Sequence, residues 1–396
     1  MSLIKKGRVI NVAIVAVSIV FALILGEVMI RYVAPAAMVE DDVLGWKGVP
    51  HVGDWDARGF RNELALDRAT VVALGDSQTQ GNNATTEESW PQAFGTLAST
   101  TVYQIAVGGF GPVQESYLTP TALSLHPRLI ILAPYLGNDM IDAYSMAYTK
   151  SYWSTLKDPE FVLSESFDDA ADVRASIVTG LPKDSLMFKI YKTRLWVRKH
   201  SRVYELLGNA TRDFREQIGV AKTLDERKKI QRDFFDSNPE LAYVYDTTPE
   251  IKTVLSGVYR EETVDLKRER TKEGWRIAQE MYGEIIKKVR GENVKLLVMI
   301  IPTKEYVYIR YMEETGQQIP GHLQKYMAKE RELRKEMTTY FSRQHVATTD
   351  PTDALVRGLK QKQAIYGQTT DGHPLALGYR VIAEDLYEKL KIGIPE

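Results

Sequence analysis

Three short apolar runs constrain what this chain can fold into: Val71-Val72-Ala73-Leu74, Val102-Tyr103-Gln104-Ile105-Ala106-Val107 and Leu129-Ile130-Ile131-Leu132. Each has the length of a buried strand and stops in a turn that carries glycine: Gly75, Gly108-Gly109 and Gly137. Helix-length segments lie between them. One opens at Ser89-Trp90-Pro91, with serine placed as a cap and proline in the first turn, and reaches about Leu97. Another runs from about Val113 to Leu125 and ends at His126-Pro127. Apolar strands alternating with helices predict a parallel, doubly wound α/β sheet covered on both faces. The pattern resumes late in the chain with a helix over about Glu273–Val289 and a fourth strand from Val294 to Ile301. A charged helix over about Leu323–Gln344, a weak fifth strand at Val346-Ala347-Thr348 and a last helix over about Ala376–Leu390 complete it.

The amino terminus sets the compartment. Lys5, Lys6 and Arg8 precede a run from Val9 to Leu25 broken only by Asn11 and Ser18, and Val28 to Val33 can extend it. That is about the length of a bilayer span, and the basic flank predicts a cytoplasmic amino terminus. We read residues 1–35 as an uncleaved anchor in the cytoplasmic membrane, with everything after it on the periplasmic or extracytoplasmic side. A cleaved signal peptide ending near Ala34-Pro35-Ala36 is the alternative. Glu27 and Arg31 are spaced to pair at the interface. Lysine plus arginine (51) nearly equal aspartate plus glutamate (52), so no net charge favours nucleic acid. The chain has no cysteine, which excludes disulfides and thiolate chemistry.

Between these parts the sequence predicts an extended lead-in over residues 36–69, a tether with a few aromatic anchoring contacts. The α/β domain then comes in two pieces, 70–142 and 271–396, around a mainly helical insertion at 143–270. Inside the insertion, Lys189, Lys192, Arg194, Arg198, Lys199 and Arg202 form a basic set. A solvated helix face is the simpler reading of it, and a surface for anionic lipid or glycan is the other.

Open α/β sheets present their ligands just outside the carboxyl ends of the strands. Ser77, Gly108-Gly109, Asn138 and Asp371-Gly372-His373 all fall at such ends or in the loop before the last helix. A serine nucleophile needs a base, a group to orient that base, and donors for an oxyanion. His373 is one of six histidines, with Asp371 two residues before it. The N–H of Ser77, the N–H of Gly109 and the amide of Asn138 are candidate oxyanion donors. No Walker-type glycine loop and no His-Glu-x-x-His stretch is present, so no metal and no cofactor are expected.

Gly75-Asp76-Ser77-Gln78-Thr79, Gly109, Gly137-Asn138-Asp139 and Asp371-Gly372-His373-Pro374 together resemble the four blocks of the SGNH (GDSL) hydrolase superfamily, in the family's order. Closer still, Leu44-Gly45-Trp46, Gly59-Phe60-Arg61, Trp90-Pro91 and Ile301-Pro302-Thr303-Lys304-Glu305 are similar to membrane-anchored bacterial members. The resemblance implies a flavodoxin-like sheet of about five strands. It also implies Ser77 as nucleophile, His373 as base, Asp371 as its orienter, and Gly109 and Asn138 as oxyanion partners. Two departures stand out: the usual acid three residues before the histidine is Thr370 here, and Gln104 stands where many members have asparagine. The implied function is an acyl esterase or O-acyltransferase acting on acetyl esters of envelope or secreted glycans. The alternatives are a helper subunit of a multi-pass membrane acyltransferase, and a hydrolase of lipid or other acyl esters.

Overall fold

The structure, a computed structural model, describes residues 3–164, 175, 176, 179, 181–219 and 221–391. Helix α1 (Leu3–Val33) comes first, followed by the antiparallel hairpin β1 (Met38–Asp41) and β2 (Gly45–Gly48). Next are β3 (Val71–Gly75), α2 (Ser77–Gln80), α3 (Trp90–Leu97), β4 (Val102–Ala106), α4 (Pro112–Leu123), β5 (Leu129–Ala133) and α5 (Asp139–Thr149). After a 3-10 turn at Ser151–Leu156 come α6 (Leu186–His200), α7 (Arg202–Ala210), α8 (Arg212–Gln217) and α9 (Leu224–Ser237). The antiparallel pair β6 (Tyr243–Tyr245) and β7 (Thr253–Leu255) leads into α10 (Gly257–Val264). The chain closes with α11 (Glu269–Gly291), β8 (Lys295–Met299), α12 (Lys304–Glu314), α13 (Gly321–Arg343), β9 (Ala347–Thr349), α14 (Thr352–Lys360) and α15 (Ala376–Lys391).

These elements form two compact units, Met1–Ala37 with Leu181–Arg227, and Met38–Gly180 with Lys228–Glu396. The larger unit holds a five-stranded parallel sheet in the order β4-β3-β5-β8-β9. This is the flavodoxin-like order, in which the chain first steps one way from β3 and then crosses to its other side. The carboxyl ends of β3 and β5 flank that switch point, where such sheets hold ligands. Strands β3, β4 and β5 are buried at every residue, which accounts for their unbroken apolar runs. Helices α4, α5 and α11 pack together as one layer, and α3, α14 and α15 as another. Helix α11 buries Ile277, Ala278, Met281, Tyr282, Ile285, Ile286 and Val289, the i, i+4 stripe of a core-facing helix.

Besides anchoring aromatic residues, the 36–69 lead-in makes polar contacts that its sequence did not announce. Trp55, Asp56, Phe60 and Asn62 are buried. Asn62 accepts from the Gln104 N–H (2.9 Å) and donates to the Gln104 carbonyl (3.0 Å), pairing with the open edge of β4 as a neighbouring strand would. Asp56 in turn accepts from the Asn62 amide (3.1 Å) and the Tyr103 hydroxyl (2.6 Å). Composition marked this stretch as irregular, and it is. It is nevertheless ordered, because polar side chains replace the strand ladder. The 143–270 stretch is divided between the two units, and besides helices it contains the β6–β7 pair.

The smaller unit is helical. Within α1, the 21 residues Ala13–Val33 are long and apolar enough to cross a membrane, with mean hydropathy 2.7, which fits a membrane anchor or a signal sequence.

In the larger unit, Gly274 of α11 lies so close to α5 that a Cβ would sit 1.8 Å from the Met140 carbonyl oxygen, which backbone cannot yield. Gly274→Ala is expected to cost about 1–3 kcal/mol, the usual range for overpacking. A urea midpoint equal to that of the wild type would contradict this packing.

Candidate active site

Strand β3 ends at Gly75, where a Cβ would lie 2.2 Å from Thr79 Oγ1, so only glycine lets the chain turn straight into α2. Asp76 caps that turn, its Oδ1 accepting from the Gln78 N–H at 2.8 Å. Ser77 is thereby placed at the first helical position, nearly buried. One turn later Gly81, at φ +85°, ends α2 by donating to the Ser77 carbonyl.

The loop before α15 brings His373 to Ser77 from 296 residues away. His373 Nε2 and Ser77 Oγ are 2.8 Å apart, and His373 Nδ1 and Asp371 Oδ1 are 2.6 Å apart. A carboxylate can only accept, so Nδ1 donates to Asp371 and Nε2 is left to accept the Ser77 proton. Burial pushes the Asp371 carboxyl up. The hydrogen bond and charge of His373, the Asn83 amide and the His373 N–H outweigh it and hold the group far below the usual carboxylate range. Asn83 supplies that amide at 2.8 Å to Oδ2 from φ +69°, a left-handed position that asparagine tolerates. Thr370, three residues before His373, accepts from the Gln231 amide at 3.3 Å and does not face the ring.

Gly108 and Gly109 follow β4. The Gly108 N–H donates to Gln80 Oε1 at 2.7 Å, which ties this loop to the turn after Ser77. Gly109, at φ +84°, has nothing within 4 Å of a hypothetical Cβ, so open space lies over it. Asn138 caps α5 at the end of β5, beside Asp76. Its amide donates to Asp142 Oδ2 at 2.7 Å, and its Oδ1 is buried without a hydrogen-bond partner. Ser77, His373 and Asp371 are therefore joined in one chain of hydrogen bonds. Gly109 and Asn138 stand at the adjoining strand ends, with the Asn138 donor turned to Asp142.

Several residues escaped the sequence reading. Asp76 Oδ2 lies 3.3 Å from Ser77 Oγ, a second acceptor for the same proton. Burial pushes the Asp76 carboxyl up, against the opposing effects of the Gln78 N–H and the His373 charge. Of the two bonds at Ser77 Oγ, the one to His373 is the shorter. Glu115, wholly buried with neither carboxyl oxygen partnered, is pushed up to about 8 by burial and by the Asp76 charge. Asp139 is also pushed well up, first by burial and then by Glu115 and Asp76. Glu115 carried no signal in the sequence, and Asp76 and Asp139 stood in the strand-end blocks with no role of their own.

Two cations brace the loops. Lys304, fully buried, donates to the Thr369 (2.6 Å) and Val254 (2.8 Å) carbonyls, and so fixes the start of the His373 loop. Arg260, from α10, donates to the Gly137 carbonyl (3.2 Å) and approaches Glu305 Oε2 (3.5 Å). A Cβ on Gly372 would lie 2.5 Å from Arg260 Nη2, so this guanidinium spans the loops carrying Asn138 and His373. Lys304-Glu305 was visible as a strand-end motif, whereas Arg260 lay unmarked in a charge-rich stretch. Among the described residues, no group of His, Asp and Glu side chains could hold a metal ion.

No family model and no curated protein matches this sequence. Among solved structures, the chain is similar to a GDSL-like lipase from Bacteroides thetaiotaomicron, at 7% identity and a TM-score of 0.32, covering 82% of this chain and 88% of that one. It is also similar to a protein described as an acylhydrolase from Bacteroides fragilis, at 9% identity and a TM-score of 0.32, covering 86% and 91%.

The buried acids predict a pH dependence. Folding favours protonated Glu115, so its stabilising contribution is complete below the unfolded value of about 4 and is lost as pH rises through about 8. Glu115→Gln keeps the shape without ionising. It is expected to gain on the wild type by at least about 1 kcal/mol between pH 5 and 9, one pKa unit being worth that much. Urea midpoints that stay parallel across that range would exclude a neutral Glu115.

Proposed function

We propose that this chain is a serine-dependent acyl esterase or O-acyltransferase that works outside the cytoplasmic membrane on acetyl esters of envelope or secreted glycans. The observation that carries the reading is the continuous Ser77–His373–Asp371 chain, with bonds of 2.8 and 2.6 Å. Ser77 Oγ attacks the ester carbonyl carbon while His373 Nε2 takes the hydroxyl proton, and ionised Asp371 stabilises the imidazolium that results. The oxyanion of the tetrahedral intermediate meets the N–H groups of Ser77 and Gly109. The Asn138 amide joins them once it turns from Asp142. As the carbon–oxygen bond to the leaving alcohol breaks, His373 returns the proton to that oxygen, and an acyl-enzyme remains. Water or a sugar hydroxyl then attacks the acyl carbon, with His373 taking its proton and passing it to Ser77 Oγ as the bond between that oxygen and the acyl carbon breaks.

The glycan assignment rests on the block motifs and on their likeness to membrane-anchored members, and the extracytoplasmic placement rests on α1. Open space over Gly109 suits a bulky ester better than a closed pocket would.

A fluorophosphonate probe should label the wild type and leave Ser77→Ala unlabelled. Equal labelling would remove Ser77 as nucleophile, and no labelling of either would favour a non-catalytic helper subunit. With a chromogenic acetyl ester, His373→Ala is expected to abolish turnover. Asp371→Asn should lower kcat by about 10²–10⁴-fold, because it imposes the wrong tautomer on the ring. Adding an oligosaccharide acceptor separates the two reactions: acetylated acceptor means transfer, and acetate alone means hydrolysis.

A further inference from the structure

Charged residues bound the apolar stretch of α1 tightly. Lys5, Lys6 and Arg8 precede it and Glu27 and Arg31 follow it, leaving Val9–Gly26 between them. At about 1.5 Å per residue that stretch covers about 27 Å, close to the hydrocarbon thickness of a bilayer. Glu27 would be costly at such a depth if unpaired, but it is fully engaged. Its Oε1 accepts from Arg31 Nε (2.8 Å) and the Arg202 N–H (2.7 Å), and its Oε2 accepts from the Ser201 hydroxyl (3.0 Å) and the Val203 N–H (3.1 Å). The carboxylate thus caps the amino terminus of α7, where a negative charge is favoured. Arg31 donates to the His200 carbonyl (2.9 Å), the carboxyl end of α6, where a positive charge is favoured. Arg202 donates to the carbonyls of Ala34 and Pro35, both at 2.9 Å. The corner between α6 and α7 is fastened on all sides to residues 27–35.

Helix α6 brings five cations and no acid to this corner, together with exposed apolar groups. Leu186 is 72% exposed, Trp196 63% and Met187 59%, and Leu207 of α7 is 60% exposed. A water-facing helix gains nothing from these groups. A helix at the headgroup level gains from both kinds, since tryptophan and aliphatic groups enter the acyl boundary while lysine and arginine reach lipid phosphates.

We propose that α6 and α7 form a membrane-interface platform built on the end of α1, lying in the headgroup layer of an anionic bilayer. The platform takes α1 to be a bilayer span, as the functional reading does. It also requires α1 to stay in the mature protein. Cleavage near Ala34–Ala36 would remove Glu27 and Arg31, and with them every bond these two side chains make to the corner.

The test is tryptophan fluorescence of the full chain in nanodiscs of phosphatidylcholine and phosphatidylglycerol, with and without brominated acyl chains. Bromolipid should quench the wild type, and most of that quenching should disappear in Trp196→Phe. Equal quenching in both overturns the platform. A chain that never enters the discs overturns the anchor and the platform together, while probe labelling at Ser77 reports on the active site independently. Lys189→Glu combined with Arg198→Glu should reduce Trp196 quenching at least twofold in anionic discs and leave probe labelling unchanged. Undiminished quenching would remove the basic residues from the lipid contact.

Discussion

The hydrogen bond between His373 and Ser77, 2.8 Å long, closes a loop of 296 residues, and most of the larger unit serves to hold its two ends. On the serine side, Gly75, the Asp76 cap and the single turn of α2 leave the side chain little freedom. On the histidine side there is no strand, only the loop 367–373, so its backbone is held from outside. Thr253 Oγ1 donates to the Gly367 carbonyl (2.7 Å), Lys304 to that of Thr369 (2.6 Å), and the Gln78 amide to that of Gly372 (3.5 Å). Thr253 belongs to the β6–β7 pair. Part of the stretch between the sheet halves therefore acts as a brace for the candidate base.

One of these braces, Lys304, is charged and buried, which is an expensive way to gain stability. A buried ion pair seldom outperforms an apolar packing of equal volume, but breaking one leaves a charge stranded. Lys304 is pushed down to about 8 by burial, against the opposing charges of Glu305 and Asp371, and three oxygens surround it. Thr303, next in the chain, donates to Glu330, which pairs with Arg334. A shifted loop would break several of these bonds at once. They specify position more than they add to stability.

How much of this was legible followed from how local each signal was. The buried strands showed because a parallel strand covered on both faces is apolar throughout, and Val71–Leu74 is. The glycine, serine, asparagine and histidine blocks showed because turns at strand ends demand particular residues. The polar contacts of the lead-in were not legible because they depend on Asn62 meeting Gln104, which no spacing in 36–69 announces. Arg260 was hidden for the same reason, since its partners Gly137 and Glu305 lie far from it in sequence. The Gln104 side chain also donates to the Arg61 carbonyl and so serves the same lead-in contact.

The spacing of the acid, two residues before the histidine, has a physical rationale. Asp371 Oδ1 accepts from the His373 backbone N–H at 3.1 Å as well as from Nδ1 at 2.6 Å. A side-chain oxygen bonding the N–H two residues on is an Asx turn, a local motif that needs no help from elsewhere in the fold. At this spacing one oxygen both shapes the loop and sets the tautomer of the ring it carries. The other oxygen is free to accept from Asn83, which fastens the loop to the segment following Ser77. An acid at position 370 could not do this in the present backbone, because the Thr370 side chain points to Gln231. An acid at this spacing is thus matched to a loop that has no strand of its own to hold it.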